Sequence, residues 1–155
     1  KKSAELGHAY AMGVLADEFR VWGPDSQMIY WAEMGEEKDN ERSIEILVTQ
    51  YNRMGEYEKV FTLMEKHAQK GDVRAAITLY DWYSSDRVVL KPYRDYNKSL
   101  YWLKKAAEAG DINSIAELSF RYAQGCKGVK ENKSEAQYWA KKHDSATNMW
   151  LSYDI

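Results

Sequence analysis

The sequence predicts an all-α solenoid of about four helix-turn-helix repeats closed by a C-terminal capping segment. Three observations predict it. A leucine stands four residues before a tyrosine at Leu6/Tyr10, Leu47/Tyr51, Leu79/Tyr83 and Leu118/Tyr122. A second slot follows each pair, held by Tyr30-Trp31, Thr62-Leu63, Tyr101-Trp102 and Tyr138-Trp139. Apolar residues recur three and four apart, the helical period, and only Pro24 and Pro92 interrupt the chain. The expected repeats are roughly residues 1–38, 39–70, 71–109 and 110–146, with the cap over 147–155, all in a single domain.

In the first repeat, Ala4 to Tyr10 opens a helix. Ala11 to Pro24 reads as a long connection holding Phe19, Val21 and Trp22. The second repeat sets Ser43, Leu47 and Tyr51 at four-residue spacing, turns through Asn52 to Gly55, and continues as a second amphipathic helix. Small residues at the first of these positions let helices approach closely, and the Leu and Tyr that follow supply buried bulk. Gly71 ends the second helix, because a glycine just past a helix adopts the left-handed conformation that satisfies the last carbonyls. Asp72 then serves as N-cap of the third repeat.

The third repeat repeats the spacing at Ala75, Leu79 and Tyr83. Its turn is replaced by the longer segment Ser84 to Arg94, which carries Val88 and Val89. Its second helix puts Leu100, Leu103 and Ala107 on one face and Lys104, Lys105 and Glu108 elsewhere. The stretch Glu56 to Asp72 aligns without gaps on Asp95 to Asp111, which fixes the period between these two repeats. The fourth repeat sets Ser114, Leu118 and Tyr122 after the N-cap Asp111. Beyond Trp139 the pattern fades at Lys142-His143-Asp144-Ser145, and Trp150, Leu151, Tyr153 and Ile155 form an apolar tail expected to fold over the last repeat.

Composition narrows the function. A hydrophobic fraction of 45% and a charged fraction of 30% describe a folded chain with a core. A net charge of −2 offers no basic footprint for nucleic acid. No apolar run reaches the length needed to span a membrane. The chain opens at Lys1 inside a helical pattern, so it is expected to be a processed or truncated piece from which any targeting segment has been removed. The single Cys126 cannot form an internal disulfide. Aromatic content of 14% suits either large side chains between helical layers or a binding surface, and the repeat positions of most aromatics favour packing.

Chemistry-bearing constellations are weak. His8, His67 and His143 are far apart, without a second His or Cys at metal-ligand spacing. His67 takes a helix position that Ala106 fills in the next repeat. Cys126 lies in a glycine-rich turn, and no phosphate-cradling loop is present. The sequons Asn97-Lys98-Ser99 and Asn132-Lys133-Ser134 fall at helix starts, where they read as chance matches or as capping. No catalytic residue, metal site or cofactor is expected.

These residues resemble the Sel1-like repeat family, a branch of the tetratricopeptide-type helical repeats. Its pattern is small-x3-Leu-Gly-x2-Tyr, a Gly-x-Gly-Val turn, Asp-x2-Lys-Ala-x2-Trp, then Lys-Ala-Ala and Gly. Ala4-Glu5-Leu6-Gly7-His8-Ala9-Tyr10 resembles the first block. Tyr122-Ala123-Gln124-Gly125-Cys126-Lys127-Gly128-Val129 resembles the turn with one extra residue. Asp95 to Trp102 and Lys104 to Gly110 resemble the second helix closely. The resemblance covers nearly the whole chain and is weakest in the second repeat, which lacks the Trp.

The resemblance implies that first helices line a concave face. It places there His8, Ala11 and Met12; Arg42, Glu45, Thr49, Asn52 and Arg53; Arg74, Ile77, Asp81, Ser84 and Ser85; and Asn113, Ala116, Phe120 and Gln124. Lengthened loops in repeat arrays often bind, which adds Phe19, Trp22, Val88 and Val89. The implied function is a non-catalytic module that binds a protein or peptide partner. Such proteins serve as adaptors in bacterial envelope, secretion and signalling systems, in cytoplasm or periplasm, and some resemble immunity proteins that block a toxin. The competing readings are a hydrolase acting through Cys126 or a His, and a carbohydrate or peptidoglycan binder using the aromatic excess.

Overall fold

The computed structural model describes the backbone of residues 2–22 and 25–151, and the side chains of residues 7–20 and 25–147. Among these, all regular structure is helical. In order, the elements are α1 (Lys2–Trp22), α2 (Asp25–Glu36), α3 (Glu41–Met54), α4 (Tyr57–Gln69), α5 (Val73–Tyr83), a 3-10 segment (Val88–Tyr93), α6 (Tyr96–Glu108), α7 (Ile112–Gln124) and α8 (Lys133–Leu151). They divide into two compact units, Lys1–Leu63 and Met64–Ile155.

The helix boundaries follow from their caps. Asn40 accepts a hydrogen bond from the Ser43 amide at 2.9 Å and starts α3. Asp72 accepts from the amides of Arg74 and Ala75, at 2.9 and 3.2 Å, and starts α5. Asp95 does the same for α6, and Asp111 for α7. Each cap satisfies amides that have no partner inside the helix and contributes about 1 kcal/mol. The ends of α4 and α6 share one device. Gly71 and Gly110 take φ of 98° and 93°. The next amide, of Asp72 or Asp111, then donates back to His67 or Ala106, each at 3.1 Å. One aspartate thus closes one helix and opens the next.

In the first unit α1 packs on α2 and α3, and α2 on α3. The small position Ser43 is fully buried, with Leu47 and Tyr51 beside it. The expected Leu6/Tyr10 pair does not follow that pattern. Tyr10 is 71% exposed. The buried stripe of α1 is Ala9, Gly13 and Ala16, which reproduces the spacing of Ser43, Leu47 and Gln50 in α3. Ala9 therefore occupies the small position, seven residues later than the Leu-Tyr match suggested, and Asp17 stands where Tyr51 stands in α3. Gly13 and Gly35 explain the preference for small side chains. A Cβ on Gly13 would lie 2.6 Å from Asn40 Oδ1, and one on Gly35 would lie 2.8 Å from Ser43 Cβ. The long connection expected over Ala11 to Pro24 is also absent, because α1 is helical through Trp22. No proline falls between Ala11 and Trp22, and the Asp17–Arg20 pair at 2.7 Å reinforces the helix.

In the second unit, Leu103, Ala107, Ile115, Leu118 and Trp139 form a buried cluster, with Tyr80, Leu100 and Tyr122 packed against it. Leu79, Leu103 and Leu118 are almost wholly buried, each contributing about 1.5–3 kcal/mol. The doublets of the second helices divide their labour. Trp102 and Trp139 are buried, while Tyr101 and Tyr138 are each 52% exposed and meet their tryptophans edge-on. The last helix runs unbroken past residue 147 to Leu151, and the expected docking of the tail lies outside the described side chains.

Candidate interaction surface

Each first helix has one buried stripe, so its opposite side faces solvent. On α3 the exposed side carries Arg42, Glu45, Thr49 and Arg53, with Asn52 half-buried. Ion pairs hold three of these, Glu45 lying 3.6 Å from Arg42. Arg42 donates from Nε to Asp17 Oδ2 at 2.8 Å and also from Nη2. Arg53 pairs with Asp25 at 2.6 Å. Hydrogen bonds from Arg20 and then Arg42 hold the Asp17 carboxyl below the usual range. Exposed pairs of this kind contribute about 0–1 kcal/mol, so they orient the face more than they stabilise the fold. On α1, His8 is exposed. Met12 is half-buried, with its Cβ near the space beside Gly35.

In the second unit, Arg74 and Asp81 are exposed on α5 and Ile77 is half-buried. Asn113, Ala116, Phe120 and Gln124 are exposed along α7, with Phe120 55% accessible on the side opposite Leu118. Ser84 differs from the expectation of a groove residue. It is buried, donates to the Tyr80 carbonyl at 2.9 Å and accepts from Arg121 at 3.3 Å.

Arg121 is the polar centre of this unit and was not singled out by the repeat pattern. It is fully buried, yet every reach of its guanidinium is met. Nε donates to Glu117 at 2.7 Å, Nη1 to Ser99 Oγ at 2.9 Å and Nη2 to Ser84. Ser99 donates in turn to the Tyr80 carbonyl at 2.7 Å. One side chain thereby ties together α5, α6 and α7.

A second polar feature follows an 18-residue spacing. The Tyr51 hydroxyl donates to Glu33 at 2.8 Å, and the Tyr83 hydroxyl to Glu65 at 2.6 Å. At the corresponding place before Tyr122 stands Lys104, whose ammonium lies 5.7 Å from the Tyr122 ring centre. Burial, then the bond to Glu65, pushes the Tyr83 phenol up to about 12, against the pull of Lys98. Burial and then Glu33 push Tyr51 upward too. These raised phenols are held protonated, which suits packing rather than nucleophilic chemistry.

The loop residues divide. Val88 and Val89 are 78% and 44% exposed on the 3-10 segment. Phe19 is half-buried on α1 instead of in a loop, and the side chain of Trp22 lies outside the described residues. For the competing enzyme reading, a thiol nucleophile needs a bonded base. The Cys126 side chain has no hydrogen-bond or ion-pair partner among the described residues. His67 is buried on α4, and His143 lies 3.7 Å from Asp144. Among the described residues no group of His, Cys, Asp or Glu is placed to hold a metal. For the carbohydrate reading, Trp82 is half-buried, and the side chains of Trp22 and Trp150 lie outside the described residues. Asn132 caps α8 by accepting from the Glu135 amide at 3.2 Å, and Ser99 of the other sequon is buried.

The crystal structure of a Sel1 repeat protein from Oxalobacter formigenes matches 94% of this chain, with a TM-score of 0.59 and 28% identity. The chain folds as Sel1-like helical repeats. It spans 59% of that protein's length. No family model and no curated protein matches the sequence. In Sel1-like terms, the later register of α1 and the 3-10 segment in place of the glycine turn are departures. Among the described residues no helix is long and apolar enough to cross a membrane.

Proposed function

We propose that the protein is an interaction module that binds a protein or peptide segment through the exposed sides of its first helices, α3 in the first unit and, separately, α5 and α7 in the second. The observation that carries this reading is the composition of those sides. They repeat at helical spacing, mix Arg42, Glu45, Arg53, Arg74 and Asp81 with the large apolar Phe120, and stand opposite buried stripes. Arginine and aromatic side chains dominate binding hot spots, and mixed charge favours a protein surface over a polyanion. The Sel1-like neighbour supports the general class. A toxin held inactive by the module is one partner of this class, recognised by loss of its activity at equimolar ratio.

Affinity capture from native lysate with the parent chain and with Phe120→Ser tests the proposal. The expected result is a partner captured by the parent and reduced about tenfold or more by the substitution, as for an apolar hot spot. Capture that is unaffected by Phe120→Ser and by Arg53→Glu contradicts it.

A further inference from the structure

The 3-10 segment of the second unit presents an apolar tip that nothing in the fold uses. Val88 is 78% exposed and Val89 44%, whereas Leu90 beside them is buried at 1%. Leu90 therefore anchors the segment and turns the two valines outward. The segment is braced at both ends. Arg94 donates from Nη2 to the Ser85 carbonyl at 3.0 Å and to Asp86 at 2.7 Å. The Asp95 amide donates to the Tyr83 carbonyl at 3.0 Å. Beneath it, Ser84 is held by the buried Arg121. Such bracing keeps the tip ordered before contact, which lowers the entropy cost of binding.

Around the tip, Arg87, Lys91 and Arg94 outnumber Asp86, which leaves a positive excess. Asp86 is neutralised by Arg94. Arg87 and Lys91 are exposed and form no ion pair among the described residues. In a 3-10 helix residues three apart eclipse, so Lys91 stands on the side of Val88. The result is a small, ordered apolar tip flanked by two free cations.

We infer that the Val88-Val89 tip docks onto a protein segment that sets a large apolar side chain beside carboxylates. The inference rests on the reading of the protein as an interaction module and adds a second contact with stated chemistry. Charge complementarity selects the acidic border, and the valines supply the apolar contact.

A random-peptide phage library panned on the immobilised full chain, with a Val88→Ser/Val89→Ser double variant in parallel, tests it. Both valines are exposed, so the variant folds as the parent does. The clones enriched on the parent are expected to combine large apolar residues with Asp or Glu. They bind the double variant about tenfold or more weakly. They also lose binding to Arg87→Glu/Lys91→Glu and regain it when their acids are changed to lysine. Enriched clones without acidic residues, or clones that bind parent and double variant alike, overturn the tip as a docking site. If such clones depend on Phe120 or Arg53 instead, the wider reading stands while this one falls; if they depend on none of these residues, both fall. Vesicles of phosphatidylglycerol and phosphatidylcholine form the other arm. Vesicle binding that disappears with Val88→Ser/Val89→Ser assigns the tip to a lipid surface and overturns the protein partner.

Discussion

Tyr83 shows how a single side chain joins two helices. Its ring fills the space beside Leu79, and its hydroxyl reaches Glu65 on α4, with Lys98 of α6 3.2 Å away. Burial and then the bond to Glu65 push the folded phenol up to about 12, whereas an unfolded tyrosine titrates near 10. Below about pH 10 both states hold the proton, and the full contribution to stability is present. Between about 10 and 12 the unfolded state releases its proton first, so stability falls as pH rises. Urea unfolding of the parent and Tyr83→Phe across this range checks the sign. At neutral pH the substitution is expected to cost about 0.5–1.5 kcal/mol. The gap should narrow above about pH 10; a gap that stays constant to pH 12 contradicts the latch. None of this was legible in the Leu-x3-Tyr spacing alone, which predicts burial of the ring and says nothing of the hydroxyl. The recurrence of Glu33 and Glu65 at the same distance before a tyrosine was the available signal.

Among the elements, sequence reading succeeded where a helix carried both a cap and a glycine stop. Asp72 and Asp111 cap as expected, Asp95 caps in the same way, and Gly71 and Gly110 take the left-handed conformation. It failed in α1, where two candidate registers lie seven residues apart, about two helical turns. The choice between them depends on whether a side chain fits against α2 and α3, which spacing does not report. Arg121 was missed for a related reason: a charged residue at helical spacing reads as surface until the serines that receive it are seen together. The glycines of the first unit test the packing account. Gly35→Ala would drive a Cβ into Ser43 and is expected to cost about 1–3 kcal/mol. Gly7→Ala, on the open side of α1 with nothing within 4 Å, is expected to stabilise by about 0.5–1 kcal/mol. Thermal and urea unfolding of the two variants should therefore move in opposite directions. Movement in the same direction would place the buried stripe elsewhere.

At the scale of the whole molecule, repetition supplies the scaffold, and the residues that differ between repeats supply what could be recognised. The resemblance to Sel1-like repeats carried the fold, because the pattern records buried positions. It carried the candidate surface less fully. Arg42, Glu45, Thr49, Arg53, Arg74, Asp81, Phe120 and Gln124 are exposed, but Ser84 is buried, Met12 is half-buried and Phe19 lies on a helix. The most direct measurement is site-specific photo-crosslinking in native lysate. A photoreactive residue is placed singly at Thr49 and Phe120 on the first helices, and at Tyr101 and Tyr138 on the second helices. The account predicts crosslinks to a protein partner from Thr49, from Phe120 or from both, and none from Tyr101 and Tyr138. Crosslinks confined to Tyr101 and Tyr138 would contradict it.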